Sequence, residues 1–397
     1  MHILMIAPEP FFEPRGTPFS EFHRLRALTT LGHTVDLVTY PFGRDVTMPG
    51  LRIYRCPRPP FVRRVRIGPS WAKVPLDVSL AAAALWRAFR GRYDAVHSHE
   101  EGGGIGVVLA AVLRVPHLYD MHSSLPQQVT NFGYGRASWM AGILGWLERL
   151  MIRRSKVVIV ICPDLEDAVR EVDERVPTVL IENASGDPPA AGAGPDVRRA
   201  LGLDAGTPVV LYTGTFEAYQ GLDLLYDAMR TVARERPEAR LVMVGGEAGQ
   251  VAAARARVEA LGLADRVIFT GQCAPADVPR YLDAATVLVS PRSSGTNTPL
   301  KIYQYLRAGR PIVATRLRTH TQVLDDETAI LTAPDAEAFA AGIVRAIASP
   351  DEAARLAARA REVADTKYSD EAFLAKTRRA MALLTGPAGT APAGESA

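Results

Sequence analysis

The stretch that decides the fold is Ser290-Pro-Arg-Ser-Ser-Gly-Thr-Asn-Thr-Pro-Leu-Lys-Ile-Tyr-Gln-Tyr-Leu-Arg-Ala-Gly-Arg-Pro-Ile-Val-Ala-Thr315. It begins where an apolar run ends and continues through a loop of small polar residues. A helix is predicted next, with Thr298 as its N-cap and Pro299 at its first position. The helix ends at Gly309, and the apolar run after it is typical of a buried strand.

The same segment has the features of an anion site. The backbone N–H groups of residues 297–301 would lie at the positive end of the predicted helix, and Lys301 adds a full charge within its first turn. Phosphate oxygens are the ligands that such a helix end favours. We therefore predict a phosphate-binding segment, with contributions from Arg292, Thr296, Asn297, Thr298, Pro299, Leu300 and Lys301.

The segment also resembles the donor-binding segment of family 4 (group 1) retaining glycosyltransferases, in which a Pro-Ser loop precedes Glu-x7-Glu and Ala-x-Gly-x-Pro-Val-Val-Ala. The resemblance covers most of the chain and is strongest over residues 208–331. It implies the α/β GT-B fold: two doubly wound Rossmann-like domains whose parallel sheets face each other across a cleft. In that fold the C-terminal helix crosses back to the N-terminal domain.

Length and composition agree with two globular domains. The chain has 397 residues, of which 48% are hydrophobic, and its net charge is only +3. Three widely spaced cysteines suggest neither a disulfide framework nor a zinc site, which favours a reducing compartment. No apolar run is long enough to span a membrane, and no nucleic-acid-binding module accompanies the basic residues.

Five apolar runs in each half alternate with helical patterns, which is typical of parallel sheets covered on both faces. The predicted strands are His2–Ala7, Thr34–Thr39, Ala95–Ser98, His117–Asp120 and Val157–Ile161, then Pro208–Tyr212, Arg240–Val244, Val267–Phe269, Val287–Val289 and Ile312–Ala314. With the family layout, the predicted domains are an acceptor-binding domain at 1–183, a linker at 184–198, a nucleotide-sugar-binding domain at 199–366, a crossover helix at 367–385 and a disordered tail at 386–397.

The loop after the first strand is predicted to reach the ligand edge of the sheet. It lacks the Gly-x-Gly-x-x-Gly fingerprint, which disfavours dinucleotide binding. Arg15 can pair with a phosphate, and Gly16 allows close backbone approach, as in the family's glycine-containing loop. Thr17 either contributes to this donor loop or caps a helix predicted at Phe19–Leu31, with Pro18 at its first position.

Two further strand ends in the N-terminal half carry histidines. His97 is predicted to point into the core, and His99 to lie at the ligand edge as an acceptor-side residue or as a support for the neighbouring loop. His122 resembles the family's strand-terminal residue near the anomeric carbon, with Asp120 as its orienting partner. The alternative for His122 is a histidine that only caps its loop.

The sequence departs from the family at four positions. The family's Gly-Arg-x4-Lys-Gly segment aligns with Gly214, but its Arg and Lys, which neutralise the donor diphosphate, are Thr215 and Gln220 here. Its two glutamates are Thr296 and Gln304, of which Gln304 still offers an acceptor to the nucleotide ribose. The resemblance also places the backbone near Gly271 against the nucleobase.

These features favour a hexosyltransferase-type enzyme that transfers a sugar, with retention, from a nucleotide-diphosphate sugar to a glycan or lipid-linked acceptor of the cell envelope. No cofactor and no metal ion are predicted. The alternatives are a catalytically degenerate scaffold that binds a glycan or a protein, and a nucleotide-sugar epimerase. A cytoplasmic location is predicted, with contact to the inner face of the membrane through the basic stretch Arg55–Arg92; an Arg-rich solvated face is the alternative.

Overall fold

The computed structural model describes six ranges of the chain: residues 1–12, 16–62, 73–126, 138–182, 196–295 and 297–386. Some predicted features lie outside these ranges. They are the donor-site residues Arg15 and Thr296, the linker at 184–198 apart from its last three residues, the tail after Gly386 and the middle of the basic stretch.

The chain divides into two units, and each contains its own parallel sheet. Unit 1 consists of Met1–Asn183 and Glu371–Ala397, and unit 2 of Ala184–Asp370. Helices cover the strands of both sheets, so the predicted α/β class is confirmed.

The strands of unit 1 are β1 (His2–Ala7), β2 (Thr34–Thr39), β3 (Leu51–Arg55), β4 (Ala95–His99), β5 (His117–Met121), β6 (Val157–Val160) and β7 (Thr178–Leu180). They form a sheet in the order β3-β2-β1-β4-β5-β6-β7, in which all neighbours are parallel. The sequence did not predict the two edge strands. β3 alternates arginines with apolar residues at a half-exposed edge, and β7 has only three residues.

The first five helices are α1 (Gly16–Thr30), α2 (Lys73–Arg90), α3 (Gly103–Leu113), α4 (Ser138–Arg154) and α5 (Pro163–Val172). Right-handed connections place α1 on one face of the sheet and α2 to α5 on the other, because the direction of the chain across the sheet reverses between β3 and β4. Helix α1 begins three residues earlier than predicted. Thr17 and Pro18 therefore lie within its first turn, where proline needs no N–H acceptor, and Thr17 is not the predicted N-cap.

The strands of unit 2 are β8 (Val209–Thr213), β9 (Arg240–Val244), β10 (Val267–Gly271), β11 (Val287–Ser290), β12 (Ile312–Thr315) and β13 (Ile330–Thr332). Their order is β10-β9-β8-β11-β12-β13, again with parallel neighbours. The sequence predicted all of them except the three-residue edge strand β13. The helices are α6 (Val197–Ala200), α7 (Leu222–Glu235), α8 (Ala248–Ala260), α9 (Val278–Ala284), α10 (Leu300–Arg307), α11 (Arg318–Thr321), α12 (Ala336–Ala348) and α13 (Pro350–Lys367).

The last helix, α14 (Asp370–Thr385), packs on unit 1. The Nη1 atom of Arg24 donates to the Thr377 hydroxyl at 3.2 Å, and the Arg24 guanidinium lies 4.9 Å from the centre of the Phe373 ring. Lys376 forms an ion pair with the buried Glu182. The final helix therefore returns to the N-terminal unit, as the resemblance implied.

One glycine in unit 2 permits a close approach that no other residue allows. Gly221 has φ +70° at the start of α7, and a Cβ there would lie 2.0 Å from the Pro291 carbonyl oxygen. Gly249, in the first turn of α8, has open space around its Cβ position. The two glycines form a matched pair for substitution.

We expect Gly221→Ala to lower the free energy of unfolding by more than about 1 kcal/mol, because the added methyl is strained both by φ and by the carbonyl. Gly249→Ala in the helix should raise it by up to about 1 kcal/mol. Thermal unfolding of the two variants against the wild type measures both effects. Equal melting temperatures for Gly221→Ala and the wild type would contradict the close packing of the loops after β8 and β11.

Candidate functional site

The candidate site in unit 2 lies where the strand order reverses. The chain leaves β8 towards β9 and β10 on one side and returns to β11 on the other side. Loops at the carboxyl ends of the two strands beside such a switch point form the ligand crevice of open α/β sheets. The loops after β8 and β11 contact each other there: the Ser293 amide donates to the Tyr219 carbonyl at 3.1 Å.

Helix α10 is fixed to the sheet beneath this crevice by its apolar face. Ile302, Tyr303, Tyr305 and Leu306 are buried in the core of unit 2. The Tyr305 hydroxyl accepts a hydrogen bond from the Thr213 amide at 2.9 Å, which ties the helix to the end of β8. The first turn of α10 is therefore held at the switch point.

Lys301 lies in that first turn and is almost buried, with 8% of its surface exposed. Its Nζ atom lies 3.7 Å from the centre of the Tyr212 ring and has no hydrogen-bond partner within the described residues. Burial, and then the positive charge of Arg292, hold the pKa of the ammonium well below its ordinary value. A buried cation without a carboxylate partner is rare, because desolvation disfavours its charge.

Arg292 lies beside Lys301 but is partly used within the loop. Its Nη1 atom donates to the Asn297 carbonyl at 2.6 Å and to the Thr319 hydroxyl at 3.0 Å, and its guanidinium lies 5.0 Å from the centre of the Tyr219 ring. The Nε atom has no partner. Arg292 thus fixes the loop conformation and supplies a nearby charge, with one N–H left for a ligand.

The start of α10 differs from the sequence-based prediction. The helix begins at Leu300, and Pro299 occupies the N-cap position with extended backbone angles, φ −63° and ψ 134°. The predictions of Thr298 as N-cap and Pro299 as first helical residue are therefore wrong, because the proline itself ends the extended loop. The Thr298 hydroxyl is buried and makes no capping bond, and the amides of Leu300 and Lys301 have no acceptor within the helix.

Four side chains at this corner present a buried polar atom that has no partner in the described protein. Buried polar atoms are nearly always hydrogen-bonded, so such a cluster marks a place where a ligand completes the contacts. Two of the atoms are cationic donors, one is an amide oxygen and one is a hydroxyl. They are Lys301 Nζ, Arg292 Nε, Gln220 Oε1 and Thr298 Oγ1.

The remaining predicted donor residues surround this cluster or lie further along the same edge. The Thr215 carbonyl accepts from the Tyr212 hydroxyl at 2.7 Å, and the Gly214 amide donates to the end of β9. Gly271 ends β10, where its carbonyl accepts from the Gly245 amide at 2.8 Å, so it lies two strands from the cluster. Gln304 is half-buried on α10, one turn beyond Lys301.

Sequence analysis missed the layer that supports Arg292. The His320 ring bridges the Ser290 hydroxyl, 2.8 Å from Nε2, and the Thr315 carbonyl, 2.8 Å from Nδ1. The Thr315 hydroxyl in turn donates to the Arg292 carbonyl at 2.7 Å. Burial lowers the pKa of His320 to about 3, so the ring is neutral. No sequence motif identifies such a partner, because the contact joins three separate segments.

Unit 1 has its own switch point, between β1 and β4, and the predicted histidines cluster beside it. Asp120, at the end of β5, is fully buried and accepts from Arg24 Nε at 2.8 Å. The Nε2 atom of His122 lies 3.2 Å from an Asp120 carboxylate oxygen and 3.2 Å from Nδ1 of His99. His97 Nε2 lies 3.4 Å from the same carboxylate.

The charges in this cluster are set by burial and by Asp120. Burial opposes the charge of Asp120, yet Arg24 and His122 outweigh it and hold the pKa of the carboxyl well below its usual range. Burial also opposes protonation of His122, but Asp120 above all raises the pKa of this imidazole above its ordinary value. The pKa values of His97 and His99 are lowered by burial, so both rings are neutral. The result is a buried histidine–carboxylate pair in which Asp120 favours the protonated form of His122.

Among the described residues, one group of three has the spacing of metal ligands: the candidate ligand atoms of His97, His99 and Asp120 lie within 4.8 Å of one another. The group fits a metal ion poorly. The Arg24 guanidinium already binds Asp120, and the His97 and His99 rings stack at 4.8 Å with 20° between their planes instead of converging. We interpret the group as an internal ion-pair network.

A buried carboxyl pair lies next to this network. Glu9 follows β1 and Glu21 lies on α1; both side chains are buried, and neither oxygen of Glu21 has a hydrogen-bond partner among the described residues. A charge on Glu21 disfavours a charge on Glu9. Burial raises the pKa of Glu9 well above its ordinary value and that of Glu21 to about 8. Sequence analysis did not identify the pair, because the pairing depends on how α1 packs against the sheet.

Comparison with known proteins identifies the family. Residues 207–349 match the model of glycosyl transferases group 1, and residues 23–184 match that of the glycosyl transferase 4-like domain. The chain belongs to the group 1 glycosyltransferases.

Related sequences and solved structures match this glycosyltransferase over most of its length. The D-inositol 3-phosphate glycosyltransferase of Xylanimonas cellulosilytica is 28% identical over 375 residues, which covers 88% of this chain and 87% of the relative. Sucrose-phosphate synthase of Thermosynechococcus elongatus has a TM-score of 0.78 and 25% identity, covering 96% of this chain and 98% of that structure. HepE of Anabaena, solved with UDP-glucose, has a TM-score of 0.73 and 17% identity, covering 96% and 99%. The GT-B fold is confirmed.

The carboxyl pair of this glycosyltransferase predicts a dependence of stability on pH. The pKa of Glu21 is about 8 in the folded state and lower in the unfolded chain, so the folded state binds more protons across that interval. The free energy of unfolding should therefore fall as the pH rises from the ordinary carboxyl range through about 8. Glu21→Gln, which mimics the protonated acid, should reduce this fall.

Thermal unfolding across that pH interval tests this expectation. Glu337→Gln, at an exposed position on α12, is the control and should keep the wild-type profile. Identical profiles for Glu21→Gln and the wild type would show that the Glu21 proton is not retained on folding.

Proposed function

We propose that this glycosyltransferase moves a sugar from a nucleotide-diphosphate sugar to an acceptor hydroxyl with retention of configuration. One observation carries the proposal: the Lys301 amine is buried at the start of α10, and the described residues offer it no carboxylate partner. The protein alone does not stabilise a positive charge on Lys301 at this position, whereas a bound anionic ligand stabilises it. A nucleoside diphosphate supplies phosphate oxygens, and its ribose and sugar supply the hydroxyls that the amide and threonine oxygens can bind.

The donor contacts follow from the chemistry of each group. Lys301 Nζ and the amides of Leu300 and Lys301 bind phosphate oxygens, and the low dielectric of the site strengthens the attraction compared with water. The Thr298 hydroxyl and Gln220 contribute hydrogen bonds. Gln304 binds a ribose hydroxyl, and the backbone near Gly271 meets the base, as the family resemblance implies. HepE shares only the fold at 17% identity, so its UDP-glucose is consistent with the donor class without deciding it.

Retention needs no pair of catalytic carboxylates in this proposal. The leaving phosphate takes the proton of the acceptor hydroxyl, while Lys301 and the helix amides stabilise its charge, so that no metal ion takes part. His122, whose pKa Asp120 raises, donates to a hydroxyl of the transferred sugar near the anomeric carbon. Arg24 keeps the Asp120 carboxylate charged and fixed.

The acceptor belongs to the glycans or lipid-linked glycans of the cell envelope in this proposal, with His99 on the acceptor side. The support comes from relatives: the name of the Xylanimonas enzyme gives a phosphorylated polyol as its acceptor. An acceptor that carries an anionic group as well as a hydroxyl is compatible with the net charge of the chain, which is +3.

A second candidate function is binding of a glycan or a protein without catalysis. The replacement of charged family residues by Thr215, Gln220, Thr296 and Gln304 favours it. At Thr215 and Gln220 the donor diphosphate loses its cationic partners, and at the other two positions the donor loses a carboxylate acceptor. The unpaired, desolvated Lys301 favours the transferase, since a scaffold gains nothing from a buried cation. Sugar transfer from a panel of nucleotide sugars, assayed in the presence of a chelator, distinguishes the two. Nucleotide binding with no transfer and no hydrolysis for any donor would support the scaffold.

Lys301→Met is expected to lower the affinity for UDP about 10- to 100-fold, which corresponds to a charged hydrogen bond of about 1.5–3 kcal/mol. The wild type should also take up protons on binding, because the phosphate restores the pKa of an ammonium that burial had lowered. UDP affinity therefore falls as the pH rises, and the binding enthalpy depends on the ionisation enthalpy of the buffer. Isothermal titration in several buffers measures both quantities.

Lys367→Met, on the same unit at the end of α13, is the control for charge and should bind UDP like the wild type. A Lys301→Met variant with wild-type affinity and wild-type proton uptake would refute the phosphate site.

His122→Gln is expected to lower kcat by about 100-fold or more while leaving UDP affinity unchanged, because the variant loses a charged hydrogen bond to the transferred sugar and the proposed nucleotide contacts lie in unit 2. The wild-type kcat should decline as the pH rises through the raised pKa of His122, and the variant should lose this decline. Asp120→Asn should move the decline to lower pH. His33→Gln, a half-buried histidine away from Asp120, is the control. An unchanged pH profile in both site variants would exclude His122 from the reaction.

A further inference from the structure

The exposed large apolar side chains of the described residues are concentrated in unit 1. Three neighbouring helices, α2, α3 and α4, carry nearly all of them, and the described part of unit 2 has none of this class. Soluble monomers rarely expose so many apolar side chains together. The side chains are Phe61, Val74, Val78, Leu85, Trp86, Phe89, Val108, Val112, Ile143 and Trp146.

These helices form one layer. Helix α2 packs beside α3, and α3 packs beside α4, on the same face of the sheet. Their buried residues face the sheet, so the exposed apolar residues point to the outside of that layer. Trp86 is 53% exposed, Phe89 70% and Trp146 59%. We call the outward side of α2, α3 and α4 the apolar face.

The ends of the same helices carry positive charge. All three helices run antiparallel to the strands, so their C-termini lie at one edge of the sheet. Exposed arginines follow or end each of them, and the Arg90 guanidinium lies 4.2 Å from the centre of the Trp86 ring. They are Arg90 at the end of α2 and Arg92 after it, Arg114 after α3, and Arg153 and Arg154 at the end of α4.

Acidic side chains balance these five arginines only in part: Asp94 lies two residues after Arg92, and Asp173 is close enough to Arg153 for their charges to interact. Helix α3 has no charged residue. The acid of α2, Asp77, accepts from Tyr40, and the acid of α4, Glu148, is buried and accepts from Ser124 and from the Leu125 amide at 2.7 Å. The apolar face is therefore bordered by net positive charge.

The structure changes which part of the predicted basic stretch is available to a partner. Arg55 donates to Asp45 and to loop carbonyls, Lys73 pairs with Glu101 at 2.8 Å, and Arg87 pairs with Asp36 at 2.6 Å. These three cations serve internal contacts. Of the described cations in the stretch, Arg58, Arg90 and Arg92 are exposed, and Arg90 and Arg92 lie near the exposed Trp86 and Phe89 in the sequence.

We propose that the apolar face binds the surface of a bilayer that contains anionic lipid, with Trp86, Phe89 and Trp146 in the headgroup region and the arginines on lipid phosphates. Aromatic side chains beside arginines suit that interface, where one side is apolar and the other is charged. No helix within the described ranges is long and apolar enough to cross a bilayer. The inference does not depend on the proposed sugar transfer.

A second copy of the chain suits this face less well. In a two-fold dimer the same patch meets itself, so the arginine rows of both copies would approach each other. Like charges placed opposite each other in an interface are unfavourable. Anionic lipid, in contrast, neutralises the arginines while the apolar side chains leave water.

Vesicle flotation of the full-length protein tests the proposal. We expect binding to vesicles of phosphatidylcholine with phosphatidylglycerol, weaker binding to phosphatidylcholine alone, and release by salt. Replacing Arg90, Arg114 and Arg153 by Gln should lower the affinity on the order of 100-fold, at about five-fold for each charge. The double variant Trp86→Ser and Trp146→Ser should also weaken binding, because it loses apolar contact with the bilayer while it keeps every arginine.

The control removes three exposed arginines from unit 2, by Arg230→Gln, Arg234→Gln and Arg355→Gln, and should leave vesicle binding unchanged. UDP affinity should be retained in every variant, which shows that each one is folded and separates this test from that of Lys301. Wild-type protein that stays unbound with both vesicle types overturns the proposal. So does a wild-type dimer that the tryptophan variant converts to monomer, since the face would then bind a second copy.

Discussion

The desolvation of one ammonium group governs the C-terminal unit. The Lys301 side chain lies over the Tyr212 ring and under the crossing loops, and the described residues offer its Nζ atom no acceptor. Nearby Arg292 adds a second positive charge and thereby disfavours the first. Natural proteins retain such an arrangement where function needs it, because stability alone selects against it. A ligand with several anionic oxygens reverses both penalties at once, since it binds the cations that otherwise repel each other.

In the N-terminal unit the buried charge is negative, and other residues of the same unit neutralise it. Asp120 is fully buried, yet Arg24 and His122 both contact its carboxylate, and α14 in turn holds Arg24 through Thr377. The charge is balanced before any ligand arrives, which suits a group that orients a proton donor. The two switch points thus differ in how their charged group is paired. Lys301 has no oppositely charged partner among the described residues, whereas Asp120 is paired with Arg24 and His122. Both follow from the same topology, because reversal of strand order opens a crevice at the carboxyl ends of the strands.

The sequence predicted what depends on local pattern and missed what depends on packing. The buried parallel strands and the place of Lys301 at a helix start follow from apolar runs and from turn residues. The edge strands β3, β7 and β13 were not predicted, because half-exposed or three-residue strands show little periodicity of apolar residues. The N-cap was misplaced because Thr-Pro is compatible with a cap at either residue. The Glu9–Glu21 pair and the His320 support join distant segments, so no spacing in the sequence identifies them. The resemblance supplied the roles of His122 and Gln304, which the residues alone do not specify.

The loss of the family's two cations at Thr215 and Gln220 can be understood together with the burial of Lys301. An ion pair in water is weak because the solvent screens it, and several cations then share the task of holding a diphosphate. A single ammonium over the Tyr212 ring and beneath two loops is screened far less, so each remaining contact is stronger. The uncharged Gln220 also spares Lys301 a further like charge, which would depress its pKa still more. In the proposed transferase, one deeply placed cation therefore takes over the role of several cations at the surface, and the depth of Lys301 compensates for the uncharged Thr215 and Gln220.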